Sequence, residues 1–217
     1  MNIVFIAPPA AGKGTISSML KERYDFEHIS AGDLLRNVTK ESSVYEEIQE
    51  TLKSGGLVKE EIIITLLKEK LLSLENGKSF ILDGFPRNLD QAFAFGDLLK
   101  EVNISIDKAV YLDVDIDTAK RRILGRLSCP NCKKDYNSLT GFNTPKEENM
   151  CDDCHVELVK RTDDNEESFK KRYETYMTQT EPVIKFFEDL DILIRLDSSK
   201  DANETFAELV ELLGLGE

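Results

Sequence analysis

Ala7-Pro8-Pro9-Ala10-Ala11-Gly12-Lys13-Gly14-Thr15 follows an apolar run, Ile3-Val4-Phe5-Ile6, and leads into a helical pattern from about Lys13 to Tyr24. Strand, glycine-bearing turn and helix in that order make backbone N–H groups converge on one spot. An anion there is stabilised by oriented dipoles, and Lys13 adds a mobile positive charge. The segment predicts an α/β fold that holds a polyphosphate beyond its first strand. The pattern G-x-x-x-x-G-K-[ST] is met imperfectly: Ala7 stands where the first Gly belongs, and Gly14 where Ser or Thr belongs. Taken alone, the segment also fits an ordinary strand–helix turn that contains Gly-Lys.

The chain around it has 217 residues, enough to bury one substantial core, and it contains nothing close to the ~20 consecutive apolar residues of a membrane span. It opens on a strand, without a basic stretch, an apolar signal core or a small-residue cleavage site, which predicts a cytoplasmic protein. A net charge of −13 disfavours nucleic acid and anionic membrane as partners, because both require a positive field. Arginines stand out against that background.

Short apolar runs alternate with helical patterns along the chain. Ile3–Ile6 precedes the first helix, and Glu27–Ile29 precedes helices that run through Ser54. A helix from Glu60 to about Leu74 precedes Phe80-Ile81-Leu82, and one from Asn88 to Lys100 precedes Ala109-Val110-Tyr111-Leu112. A further helix reaches about Leu127, and Ile192-Leu193-Ile194 precedes a last helix from about Ala202. Five short apolar strands separated by helices predict a parallel sheet covered on both faces, since parallel strands need crossover connections. Two stretches interrupt this rhythm: helices without a strand between Ser30 and Lys59, and a Cys-, Asn- and Asp-rich stretch from about Ser128 to Lys160. Both follow strands, so both are expected as covers over the end of the sheet where ligands bind. A long helix from about Asn165 to Asp189 places Phe169, Tyr173, Tyr176, Val183 and Phe187 at mostly helical spacing, as core residues.

All four cysteines lie in the second cover as Cys129-x₂-Cys132 and Cys151-x₂-Cys154, with eighteen residues between the pairs. That spacing fits a tetrahedral four-thiolate zinc site, structural because no coordination position is left for substrate. Two disulfides are the alternative, disfavoured in a reduced compartment. A zinc ribbon for nucleic acid is a rival use, and the acidic chain opposes it. Lys133 follows Cys132 where such turns often carry Gly.

Leu82-Asp83-Gly84-Phe85-Pro86-Arg87 delivers a carboxylate and then a guanidinium to the end of a strand. Asp83 suits a water held by Mg²⁺, and the fork of Arg87 suits a phosphate. Arg36 lies in the first cover, Arg122 and Arg126 enter the second, and Arg161 and Arg172 follow it. Phosphoryl transfer needs positive charge, in-line positioning and exclusion of water more than a covalent nucleophile. His28 and His155 are read as packing or spare hydrogen-bonding residues.

Taken together, Ala7–Thr15, Ser30-Ala31-Gly32-Asp33-Leu34-Leu35-Arg36, Asp83–Arg87 with Gln91, Arg122-x₃-Arg126, the paired cysteines and Arg161-x-Asp163-Asp164 resemble adenylate kinases of the bacterial long-lid, zinc-containing type. The resemblance implies a P-loop three-layer core at 1–29, 60–121 and 161–217. It also implies a domain over the nucleoside monophosphate at 30–59 and a zinc-stapled lid at 122–160. The implied reaction is MgATP + AMP to 2 ADP in a monomer, with Mg²⁺ carried by ATP and zinc held by Cys129, Cys132, Cys151 and Cys154. By the same resemblance Gly12, Lys13, Gly14, Thr15, Arg122, Arg126 and the Lys200 backbone contact ATP. Ala31, Arg36, Leu57, Val58, Lys59, Gly84, Arg87, Gln91, Arg161 and Arg172 serve AMP. Lys13, Arg87, Arg126, Arg161 and Arg172 act at the transferring phosphoryl group, and Asp33 and Asp83 orient Mg²⁺-bound water.

Three departures qualify the resemblance. The family usually carries Gly where this chain has Ala7 and Ala10, and an alanine forced to positive φ costs on the order of 1 kcal/mol. Ser30-Ala31-Gly32, with Asn88 after Arg87, is similar to UMP/CMP kinases, whereas Gln91 is the adenylate-type residue. The spacer between the cysteine pairs is somewhat long. A pyrimidine or broad monophosphate kinase, or a catalytically impaired nucleotide-binding protein, therefore stands as the alternative.

Overall fold

The computed structural model describes residues 1–54, 56–132, 134–140, 143–161 and 164–216; Lys133 and Asp163 lie outside them. β1 (Asn2–Ile6) runs into α1 (Lys13–Tyr24), and β2 (Glu27–Ser30) into α2 (Ala31–Arg36), α3 (Tyr45–Ser54) and α4 (Glu60–Leu72). β3 (Phe80–Asp83) leads to α5 (Leu89–Glu101), and β4 (Lys108–Asp113) to α6 (Ile116–Leu124). Two short strands follow, β5 (Arg126–Ser128) and β6 (Asp135–Asn137), then α7 (Glu166–Thr175), a π-turn (Tyr176–Thr180) and α8 (Glu181–Asp189). β7 (Leu193–Asp197) and α9 (Ala202–Leu212) complete the order.

Among the described residues, five strands form one parallel sheet in the order β2-β3-β1-β4-β7, and β5 and β6 pair separately as an antiparallel ribbon. The alternation of β1 shows why the sheet is covered twice. Val4 and Ile6 pack with α4, α5 and α8 through Leu67, Phe95 and Val183, whereas Ile3 and Phe5 pack with α1, α6 and α9 through Leu20, Ile123 and Leu209. Each fully buried Leu, Ile or Phe contributes about 1.5–3 kcal/mol, so both faces hold the helices to the sheet. β1 sits at the centre, in register with β3 at Phe5↔Asp83 and with β4 at Phe5↔Val110. The loop after β1 is thereby fixed beside the ends of β3 and β4. No helix among the described residues is long and apolar enough to cross a membrane.

Two expectations need correction. The helix expected to reach about Leu127 stops at Leu124, and Arg126 lies on β5. Gly125 caps the helix there, and β6 with its turn packs so closely on it that a Cβ would stand 2.5 Å from Asn137 Oδ1 and 2.8 Å from Leu139 Cβ, leaving room for no other residue. The helix expected from about Asn165 to Asp189 is interrupted by the π-turn Tyr176–Thr180. The extra residue of a π-turn rotates the following segment, and a 3.6-residue period does not register it. Phe169 belongs to the core on one face of the sheet and Val183 and Phe187 to the core on the other, so the rotation falls where the chain changes faces.

Candidate active site and metal centre

α1 begins at Gly12 with φ 91°, and no side chain caps it. Its first N–H groups are therefore left for an incoming anion. Lys13 folds back over the loop, with Nζ 3.5 Å from Ala7 O. Burial lowers the Lys13 amine from its ordinary value; Asp83 opposes this, and Arg87, Arg172 and Arg126 add to it. Four cations thus share two carboxylates, Asp83 and Asp164, an excess of positive charge that calls for a polyanion.

The two loop alanines differ. Ala10 sits at φ 63°, whereas Ala7 is buried and is not among the positive-φ residues. Ala10→Gly is expected to raise stability by up to about 1 kcal/mol, seen in urea unfolding, because it relieves left-handed strain at some cost in unfolded-chain entropy. Ala7→Gly should give no gain, and equal effects of the two would count against strain at Ala10.

Asp83 pairs in register with Ser30 of β2, and its Oδ2 lies 3.5 Å from His28 Nε2. Burial pushes the Asp83 carboxyl up, but His28, Lys13 and Arg87 outweigh it and hold the group below the ordinary carboxylate value. Arg87 is anchored three times: its Nε donates to Gly84 O at 2.8 Å, its N–H donates to Gln91 Oε1 at 2.8 Å, and its carbonyl accepts the Thr180 hydroxyl at 2.8 Å. Gly84 has φ 79°, and a Cβ there would come within 3.2 Å of Arg87 Nη2 and 3.9 Å of Ala31 Cβ. Ala31, Gly84 and Arg87 are therefore neighbours. Buried Gln91 directs Nε2 toward Val58 O at 3.5 Å, beside a cleft of about 470 Å³ lined by Leu57, Val58, Lys59, Asn88, Gln91 and Gln179 among others.

Asp33 lies 2.6 Å from Arg36 Nη2, and both side chains are exposed. An exposed pair of this kind is worth little, so a phosphate can displace the carboxylate from Arg36. Asp164 is buried and receives Arg126 through two bonds, at 2.7 and 2.5 Å, with Arg172 Nη1 3.9 Å away. Arg161 reaches the small ribbon, donating to Ser128 Oγ at 3.2 Å and to both Asp135 carboxylate oxygens at 3.1 Å. Arg122 Nη2 donates to the backbone carbonyls of Ser199 and Lys200 at 3.4 and 3.2 Å, while the Lys200 side chain pairs with Glu208. Gly14 and Thr15 are exposed at the start of α1.

Ser128, Asp135 and Thr180, which hold arginines in place, and His28 beside Asp83 were not identified as site residues from sequence. Thr180 lies 93 positions from Arg87 and Asp135 lies 26 from Arg161, so no local spacing carries a signal.

The four cysteines are unbonded thiols, and their Sγ atoms lie within 4.8 Å of one another. Cys132 and Cys151 Sγ are 3.7 Å apart. Tetrahedral zinc with Zn–S near 2.3 Å requires S–S separations of about 3.8 Å, so the donor set and its spacing fit a structural zinc ion. Cys129 and Cys151 are fully buried, and among the described residues Tyr136 and Leu158 join them as buried members of the surrounding apolar cluster.

The model of the adenylate kinase family matches residues 5–192. Curated relatives named adenylate kinase include that of Syntrophomonas wolfei, 40% identical over 214 residues, covering 98% of this chain and 99% of the relative. That of Fervidobacterium nodosum is 38% identical over 215 residues, covering 99% and 98%. That of Archaeoglobus fulgidus is 39% identical over 214 residues, covering 98% of each. Similarity of this extent takes in the phosphate loop, both interruptions of the strand rhythm and all four cysteines, and the chain belongs to the adenylate kinase family.

Proposed function

We propose that the chain transfers the terminal phosphoryl group of MgATP to AMP, forming two ADP. The observation that carries this reading is the gathering of Arg87, Arg126 and Arg172 near Lys13, with Asp83 and Asp164 as the carboxylates among them, in a protein of net charge −13. Loop N–H groups and Lys13 hold the ATP phosphates, and Arg87 and Arg36 hold the AMP phosphate. Arg126, Arg161 and Arg172 surround the group in flight, where charge spreads over its equatorial oxygens. Arg122 and the Lys200 backbone flank the ATP adenine. Asp33 and Asp83 orient water on the Mg²⁺ that enters with ATP. Segments 30–59 and 122–160 act as covers on a core of 1–29, 60–121 and 161–217, and they exclude water from the transfer. Zinc serves the second cover structurally. The same reading makes the protein a cytoplasmic monomer without nucleic-acid or membrane partners, in keeping with its acidity.

Base choice follows from Gln91. Its Oε1 is occupied by the Arg87 N–H, which leaves an amide N–H and the nearby Val58 carbonyl for the base. A donor beside an acceptor matches a ring nitrogen flanked by an exocyclic amine, the pattern of adenine that cytosine shares, and opposes the reversed pattern of guanine and uracil. Initial rates with MgATP and each of AMP, CMP, UMP and GMP test this. AMP is expected to exceed UMP and GMP by about a hundredfold or more, because the wrong base leaves buried polar groups unpaired. Preference for CMP or UMP would instead follow from Ala31, which brings no hydroxyl to the Gly84–Arg87 corner. ATP binding without turnover would point to the strained loop at Ala10.

A further inference from the structure

We propose that Tyr136 donates a hydrogen bond to the Cys151 thiolate of the four-cysteine centre, positioning that ligand and setting how tightly the metal is held; this rests on the reading of the centre as a zinc site.

Tyr136 is 2% exposed and stands on β6 opposite Leu127 of β5. Its hydroxyl oxygen accepts the Asp152 N–H at 2.9 Å and lies 3.5 Å from Cys151 Sγ. A phenol has one proton. With a lone pair taken by Asp152, that proton is directed to Cys151, the other partner that the hydroxyl has among the described residues.

Cys151 is where such a donor matters. It is fully buried, and its sulfur also receives the backbone N–H groups of Cys154, at 3.4 Å, and Asp153. Four thiolates around one divalent zinc leave two negative charges in excess, and buried charge must be spread over hydrogen-bond donors. Lys134 Nζ stands 5.6 Å from the centre of the Tyr136 ring and 2.8 Å from Asp153. A cation over the ring withdraws electron density from the phenol, which makes its proton a better donor.

Wild type and Tyr136→Phe, purified with zinc, are compared for metal content and for zinc loss to a chromophoric chelator. Cobalt-substituted samples give the thiolate-to-cobalt charge-transfer bands. Phenylalanine keeps the ring and its packing. Metal affinity is expected to fall about tenfold or more, in line with the effect of losing a partner of a metal ligand. The bands should move to lower energy, because a sulfur without its donor holds electrons less tightly. Faster zinc loss with unmoved bands would mean that Tyr136 only packs the cluster, and would overturn the proposal. If the phenylalanine variant holds no metal, 3-fluorotyrosine at position 136 keeps every contact with a more acidic phenol, so its bands should move to higher energy, and unmoved bands there overturn the proposal too. Wild type that binds neither zinc nor cobalt would refute the zinc reading itself, and the proposal with it.

Discussion

Lys13→Gln is expected to lower kcat by about a thousandfold while the protein stays folded and still binds MgATP. Loop N–H groups at the uncapped start of α1 hold the phosphates in ground state and transition state alike, so they sustain binding without the lysine. The Lys13 charge acts differently, since it meets the charge that grows as the phosphoryl group leaves, and its loss should appear in kcat more than in KM. The fold should tolerate the change. A lysine whose folded value is lowered opposes folding wherever it is protonated, so removing its charge relieves that cost at neutral pH. Asp83 keeps His28 and Arg87 as partners. A coupled assay beside a thermal melt checks both halves, and full phosphoryl transfer by the variant would remove the mechanism proposed here.

Stripping zinc should unfold the segment around the cysteines while the sheet and its helices survive. The buried apolar cluster there consists of Cys129, Tyr136, Cys151 and Leu158, with Leu127, Cys154 and Val156 packed against it, and three of these seven are the proposed ligands themselves. Tetrathiolate sites of this kind contribute about 10–16 kcal/mol in small zinc domains, more than the four non-ligand side chains supply when two of them, Leu127 and Val156, are only partly buried. The core is held by two separate clusters on the two faces of the parallel sheet and does not depend on the metal. Calorimetry of chelator-treated protein should therefore lose one transition and keep the main one. Activity should fall more than tenfold, because Arg126 stands on the destabilised segment and Arg161 is held by its Ser128 and Asp135, so both arginines proposed to act on the transferred group lose their positioning. An unchanged calorimetric profile in protein confirmed to be metal-free would show that the segment folds on its own.

Reading by period worked where one side chain repeats against one surface. β1, β3 and β4 were legible because each is a short apolar run with residues buried on both faces, and α1 because its turn and its start are written in adjacent residues. It failed at Leu124 and at Tyr176, where a remote segment sets the local structure: Asn137 and Leu139 press on Gly125, and the π-turn falls where the chain passes from one core to the other. The two loop alanines show the same division. Their presence was evident in sequence, but only the backbone separates Ala10 at φ 63° from Ala7.

The sequence by itself determined the fold class, the strand–loop–helix around Lys13 and the four-cysteine centre, because each is carried by residues close together in the chain or by a short repeated pattern. Tertiary structure alone decided which groups share a charge environment and which partners hold them: Asp83 beside His28 and Lys13, Asp164 gripping Arg126, Thr180 anchoring Arg87, and Tyr136 set against Cys151. Hydrogen bonds and desolvation act through space at a few ångströms, and these contacts join residues separated by 15 to 93 positions, a distance across which no local pattern is written.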